Sequence, residues 1–382
     1  PLCSGMRYSS RVTVAPTPAL PRERLVSLDV FRGITIASML LVNNPGTWSA
    51  IFWPLGHAAW HGWTPTDLIF PFFLFIVGVT TDLSLRGRPQ GDAVRRIIKR
   101  GLLIVLFGLL LNAFPFYSRG ELAGIANPTI VDRVAWRVDH LRIPGVLQRI
   151  GVVYMIAALI SLKTTRKQQI AIIVAILLGY WAILTRGPLE PPEATIAAAS
   201  DRAIFGEKHL WSQSKTWDPE GPLSTIPAVA TGLLGIVVAP WVRDRRVREL
   251  ALAGVAGLVA GLLWDFAFPI NKALWTSSYV VFSAGFACVM LALCIWIIDI
   301  KGMRGWTKPF VVYGVNPLTA FIGSGIMAKL LDMWRLKSLS YRVLYEPYFP
   351  PKVASLLWGL TFVLFWLGVL WILYRRKWFL RV

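Results

Sequence analysis

TPTDLIFPFFLFIVGVTTDLSL, residues 64–85, decides the architecture. Between Asp67 and Asp82 no residue carries a formal charge. A soluble domain breaks its apolar residues into short amphipathic runs, whereas here they form a block of roughly twenty. That is the length a helix needs to cross a hydrocarbon layer about 30 Å thick. Comparable blocks recur, and ten spans are predicted, at about 29–43, 67–85, 96–114, 144–162, 168–185, 224–242, 249–268, 275–299, 309–331 and 353–374. The chain reads as all-α, a polytopic membrane helical bundle of about ten or eleven transmembrane helices. Residues 25–382 form one transmembrane domain behind a flexible basic tail, residues 1–24.

Composition agrees. The 382 residues are 55% hydrophobic, with 18 tryptophans and a mean hydropathy of +0.56. A net charge of +20 suggests nucleic acid at first sight, but the cations collect in short loops between spans. With ten spans, the loops on one side and both chain ends carry 24 Lys and Arg, against 13 in the mostly longer loops of the other side. Cytoplasmic loops accumulate Lys and Arg. Both termini are therefore expected inside, and the 44–66 connection outside; in a bacterial inner membrane, that is the periplasm. The tail lacks the apolar core of a secretory signal, and its missing initiator Met suggests a trimmed N-terminus.

Three cysteines, two of them inside an apolar run, indicate neither a disulfide framework nor a zinc site. No P-loop, GxSxG, HExxH or GxGxxG-after-strand pattern occurs. Loops 115–143 and 186–223 are long and rich in Pro, Gly and aromatics, which suits a lid or wall for a polar ligand.

The chemistry-bearing residues gather just before the quoted stretch, in HAAWHGWTPTD, residues 57–67. His57 stands among Trp48, Phe52, Trp53, Trp60 and Trp63 with no formal charge between Asn43 and Pro65. Such surroundings suit a neutral imidazole that accepts a proton; an interfacial histidine in an aromatic belt is the bland alternative. His61 follows four residues later, so a helical segment would place both rings on one face, but metal binding needs a third ligand. Thr64, Pro65 and Asp67 read as N-cap, first position and first turn of a helix. Asp67 could equally orient a histidine ring.

Other polar residues fall at the outer ends of spans. Gln148 and Arg149 open the fourth; an arginine there must point into the bundle toward an acceptor. Asp265 closes the seventh, with Asn271 and Lys272 just beyond, and an Arg149–Asp265 ion pair is one expectation. Asn43 ends the first span. Asn316, beside Pro317, breaks the ninth and could address a ligand through freed backbone groups. At the inner end, Asp29 and Arg32 share a helical face, and the basic run 86–100 is an electrostatic candidate for phosphates.

SLDVFRGITIASMLLVNN and HAAWHGWTPTDLIFPFFLFIVG together resemble the opening of the heparan-α-glucosaminide N-acetyltransferase family. LRIPGVLQRIGVVY, WDPEGPLSTIPA, FPINKALWTSSYV and VYGVNPL follow in the same order, from about residue 25 across most of the chain. The resemblance implies the membrane catalytic part of such an enzyme, moving an acetyl group from acetyl-CoA onto an amino sugar across the membrane. It makes His57, Asp67 and Asn43 the catalytic residues. His61 stands where the lysosomal enzyme carries Asn, so no required role falls on it. Arg149, Gln148, His61, Trp60, Asp265, Asn271, Lys272 and Asn316 are then candidates to line the substrate and acetyl-CoA site, without a metal. An envelope amino sugar or a glycan hydroxyl is the natural acceptor. The expected partners are acetyl-CoA, that acceptor and the bilayer, with a homodimer left open and nucleic acid excluded. A transporter or flippase for a sugar or lipid-linked sugar is the competing class, with the broken ninth span as its substrate path.

Overall fold

The computed structural model describes residues 25–86, 89–120, 122, 125 and 127–380. The basic tail, residues 1–24, lies outside the described residues, as do two positions of the basic run 86–100. Among the described residues every regular element is helical. In chain order they are α1 Val26–Asn43, α2 Ile69–Leu85, α3 Gln90–Ala113, α4 Ile130–Asp139, α5 Val146–Lys163, α6 Arg166–Leu184 and α7 Ile196–Phe205. Then come α8 Pro222–Arg243, α9 Val247–Asp265, α10 Ser277–Cys294, α11 Lys308–Val315, α12 Pro317–Met333, α13 Leu336–Leu344 and α14 Pro351–Arg375.

Eight of these, counted with their flanking turns, are long and apolar enough to cross a membrane; α11 and α12 taken as one broken span make nine. The eight begin and end within about three residues of the expected limits. The remaining expected span, 96–114, corresponds to α3. It is a single helix of 24 residues, but Arg95, Arg96, Lys99 and Arg100 occupy its first half, so only the part from Gly101 onward is apolar. The break at Asn316-Pro317 is sharper than a kink: α11 and α12 meet at 83°. Three short helices, α4, α7 and α13, occupy stretches expected to be loops. Their amphipathic pattern is too short to stand out against the spans.

Small residues set the closest packing. A Cβ on Gly78 of α2 would lie 2.0 Å from the Gly232 carbonyl oxygen of α8. Gly33 of α1 would meet the Phe310 oxygen of α11 at 1.8 Å. Helices in lipid gain little from burying apolar surface against each other, so close backbone approach takes over. The α2–α5–α8–α10 core is filled by Leu74, Val153, Leu233 and Tyr279. Asp29 and Arg32 pair at 3.7 Å, and Arg32 also donates to the Gly314 carbonyl. The 44–66 and 266–276 connections meet at the end where α2 begins, the Gly62 N–H donating to the Ile270 carbonyl.

Candidate active site

The turn that starts α2 also builds the centre of the site. Thr64 is extended, Pro65 occupies the first helical position, and Asp67 reaches back to accept from the Thr64 N–H at 3.0 Å, its Oδ2 also lying 3.1 Å from the Thr64 hydroxyl oxygen. That is the helix start read from the sequence, worth about 0.5–2 kcal/mol as a cap. The same carboxylate accepts from the Ala58 N–H at 3.0 Å and meets Nδ1 of His57 at 2.7 Å. Thr64 Oγ1 donating to Gly56 and Thr66 Oγ1 donating to Pro54 fold the preceding loop onto the helix, bringing His57 within reach. Tyr279 of α10 supports the turn from below, donating its hydroxyl to the Asp67 carbonyl. The Asp67 side chain is 2% exposed and that of His57 46%. A carboxylate accepts only, so Nδ1 carries the proton and Nε2 is left to accept another.

The α9–α10 connection supplies a cation. Lys272 Nζ lies 3.0 Å from Nδ1 and 3.4 Å from Nε2 of His57, and 3.5 Å from Asp67 Oδ1. Burial holds the Lys272 ammonium below the ordinary lysine range, against the pull of Asp67 and Glu220. The connection is stiffened locally. Asp265 Oδ1 accepts from the Ile270 N–H at 2.6 Å, and Asn271 Oδ1 accepts from the Leu274 N–H at 2.8 Å. It is tied to the histidine loop by the Gly62 N–H donating to the Ile270 carbonyl at 2.7 Å.

A second charged group frames the site. Arg142 clamps Asp218 with two bonds of 2.8 and 2.7 Å and reaches Glu220 at 2.5 Å. Burial would pull the Arg142 guanidinium down, but these two carboxylates hold it above its ordinary value. Burial would raise Glu220, yet Arg142, Arg149 and Lys272 keep its carboxyl below the usual range. Beneath them Asp201 accepts from the Asp218 N–H at 2.8 Å; burial, with the Asp218 charge adding to it, pushes its carboxyl up to about 7.

The expected site residues thus divide. His57, Asp67 and Lys272 meet directly. His61 turns elsewhere: residues 57–63 are not helical, and its ring contacts Glu190 at 3.0 Å and Asn271 at 3.3 Å. The shared histidine face that a helix would create does not form, and among the described residues no three His, Cys, Asp or Glu side chains are placed to hold a metal ion together. Trp60 lies over the same wall, donating to the Leu189 carbonyl, with its ring 5.3 Å from Trp217. Asp265 and Asn271 serve the loop rather than an open cavity. The Arg149–Asp265 ion pair does not form, because Arg149 donates to Gly221 and Ser224 and faces the Trp275 ring at 5.0 Å. Gln148 lies beside it, buried.

Asn43 is exposed at the end of α1, and its side chain makes no hydrogen bond among the described residues; the buried neighbour is Asn44. Asn316 is not in the site. It bonds the Trp378 carbonyl and the Leu380 N–H past the end of α14, while Ser355 near the start of α14 bonds Thr47 on the histidine side. The 25 residues of α14 put roughly 35 Å between those ends. Arg142, Asp218, Glu220, Glu190 and Tyr279 were not singled out in the sequence. The signals available were WDPEG, an acidic pair beside a tryptophan, and the motifs LRIPGVLQRIGVVY and FPINKALWTSSYV, which contain Arg142 and Tyr279.

A family model described as "Heparan-alpha-glucosaminide N-acetyltransferase, catalytic" matches residues 24–264, a stretch that includes His57, Asp67, Arg142, Arg149 and Glu220. The human protein named heparan-alpha-glucosaminide N-acetyltransferase is 29% identical over 433 aligned positions, covering 95% of this chain and 60% of its own length. The mouse protein of the same name is 27% identical, covering 94% of this chain and 61% of its own length. The chain therefore spans about three fifths of the relatives it matches. With the match running over more than half of the residues, and through the turn that joins His57 to Asp67, the chain belongs to the heparan-alpha-glucosaminide N-acetyltransferase catalytic family.

Proposed function

We propose that this protein is a membrane-embedded acetyltransferase that moves an acetyl group from cytosolic acetyl-CoA to an amino group, or a hydroxyl, of an extracytoplasmic sugar. The observation that carries the reading is the 2.7 Å contact between an exposed imidazole and a buried carboxylate. Nε2 of His57 takes the proton of the incoming amine as its nitrogen attacks the thioester carbonyl. Asp67 holds the ring in the required tautomer and stabilises the imidazolium that forms. The tetrahedral oxyanion needs a nearby positive charge, and Lys272 supplies one. When the C–S bond breaks, the imidazolium returns its proton to the thiolate, giving CoA-SH and an N-acetyl sugar. Acetylation of Nε2 itself followed by transfer uses the same groups in two steps.

The bias of Lys and Arg toward one set of loops supports placing the His57 loop outside, the periplasm of a bacterial inner membrane. Counting α3 as the tenth span supports both termini inside. Its basic half then snorkels to the cytoplasmic interface, and its apolar half packs on α5, where a Cβ on Gly151 would meet the Gly101 oxygen at 2.7 Å. Trp60 and Trp217 offer faces on which a sugar ring can stack.

Labelled acetyl-CoA and a panel of amino sugars, given to the protein in vesicles, test the reaction. Product on the sugar nitrogen, lost in His57→Ala while acetyl-CoA still binds, is expected. Movement of an unmodified sugar across the vesicle wall without any acetylated product would overturn the reading in favour of transport.

A further inference from the structure

A cavity of about 530 Å³ lies on the flank of the bundle, between α3, α5, α6 and α8. Its walls are apolar, among them Val152, Ile156, Ile176 and Ile226. Ile156 and Ile226 are themselves exposed on the bundle's surface, so the cavity opens sideways, where lipid stands. Its size is within the range of about 300–1,000 Å³ typical of small-molecule sites.

One part of the lining is polar and incomplete. Arg149 and Gln148 are 2% and 8% exposed and both line the cavity. Nε and Nη1 of Arg149 and Nε2 of Gln148 have no partner among the described residues. The bonds Arg149 does make go to neutral oxygens, of Gly221 and Ser224. The one carboxylate on the lining, Glu220, is bonded by Arg142 instead. The Gln148 amide oxygen packs against Gly108 and Gly145, where an added Cβ would lie 2.3 or 2.7 Å from it. Buried donors without acceptors are costly, and a guanidinium most of all. Three such donors beside one apolar chamber point to an occupant that brings oxygens and negative charge on a hydrocarbon body.

We infer that this cavity is a binding site for an anionic phospholipid, whose phosphate accepts from Arg149 and Gln148 while one acyl chain lies along Val152, Ile156 and Ile226. This lipid site does not rest on the proposed acetyl transfer, although Arg149 and Gln148 were also candidates for the acetyl-CoA site and Glu220 belongs to the charged group that frames His57. It also adjoins that chemistry through Trp275, which faces Arg149 and lies three residues from Lys272.

The full chain, delipidated in detergent, is titrated with phosphatidylglycerol, phosphatidylcholine or inorganic phosphate, and bound lipid is counted by native mass spectrometry. One phosphatidylglycerol per chain is expected, held at least tenfold more tightly than phosphatidylcholine, with no binding of phosphate alone. Arg149→Gln should weaken it by tenfold or more. Ile226→Trp, at the exposed mouth and clear of the buried donors, should block the chain even if the arginine variant fails to fold. Equal retention of both lipids, binding of free phosphate, or unchanged binding in Ile226→Trp would overturn the inference. Because no acetyl transfer is measured, either result leaves the proposed reaction to its own test.

Discussion

His57 and Asp67 lie 2.7 Å apart, yet one side chain is nearly half exposed and the other almost fully buried. The carboxylate is therefore fixed by backbone donors that no ligand can displace, while the ring it orients remains open to one. One carboxylate is both helix cap, through Oδ2, and histidine orienter, through Oδ1, and neither role had to be given up for the other.

That double role makes Asp67→Asn informative. Asparagine keeps an acceptor for the cap but can offer its amide N–H₂ to the ring, which then loses the tautomer with Nε2 free. Transfer activity is expected to fall by about 10³–10⁴-fold, as in other carboxylate-oriented histidines, with only a small change in melting temperature. Asp67→Ala should add a stability loss of about 1–3 kcal/mol from the Ala58 and Thr64 donors left unpaired. Kinetics and thermal unfolding on the same preparations separate the two effects.

Lys272 lends its charge only while protonated. Burial lowers its proton affinity, so that charge is lost on raising the pH sooner than for an ordinary lysine. Activity should decline on the alkaline side, and Lys272→Met should flatten that decline while lowering kcat by about 10²–10³-fold. A pH–rate profile of wild type against Lys272→Met and Lys272→Arg decides it; an unchanged alkaline limb in Lys272→Met would assign the decline to another group.

Asp201 gives a stability signature. Its folded value, about 7, lies above its ordinary 3.8. A raised folded pKa contributes stability that is whole below the ordinary value and disappears as pH climbs toward 7. Asp201→Asn removes the buried charge while an amide oxygen can still accept from Asp218. The variant should gain on wild type by several degrees in melting temperature between pH 5 and pH 8, most of it below pH 7, where the wild-type contribution is being lost.

Gly78 tests the packing of the bundle. A side chain there collides with the Gly232 backbone of α8, and both helices carry core residues along their length. Gly78→Leu should cost more than about 4 kcal/mol, in the range reserved for overpacked or broken cores, and should be seen as loss of a monodisperse peak in size-exclusion chromatography.

What the sequence determined alone was the part of the molecule set by solvent. Apolar blocks of membrane length dictate helices, because a backbone in hydrocarbon must bond within its own segment. A Thr-Pro-Thr-Asp start and an Asn-Pro break act within a few residues, so both could be read locally. The position of α3 was harder to read because its cations fall inside the helix rather than before it. Only the tertiary structure decided which polar residues meet. His57 and Asp67 are ten residues apart, but Lys272 reaches them from more than two hundred residues away, and Arg142 finds Asp218 and Glu220 across the intervening spans α5 and α6. Asn316, equally polar and beside a helix break, was carried to the opposite end of the bundle. Contacts of that kind depend on the register of one packed helix against another, which is set by the small residues between them, and no spacing along the chain records it.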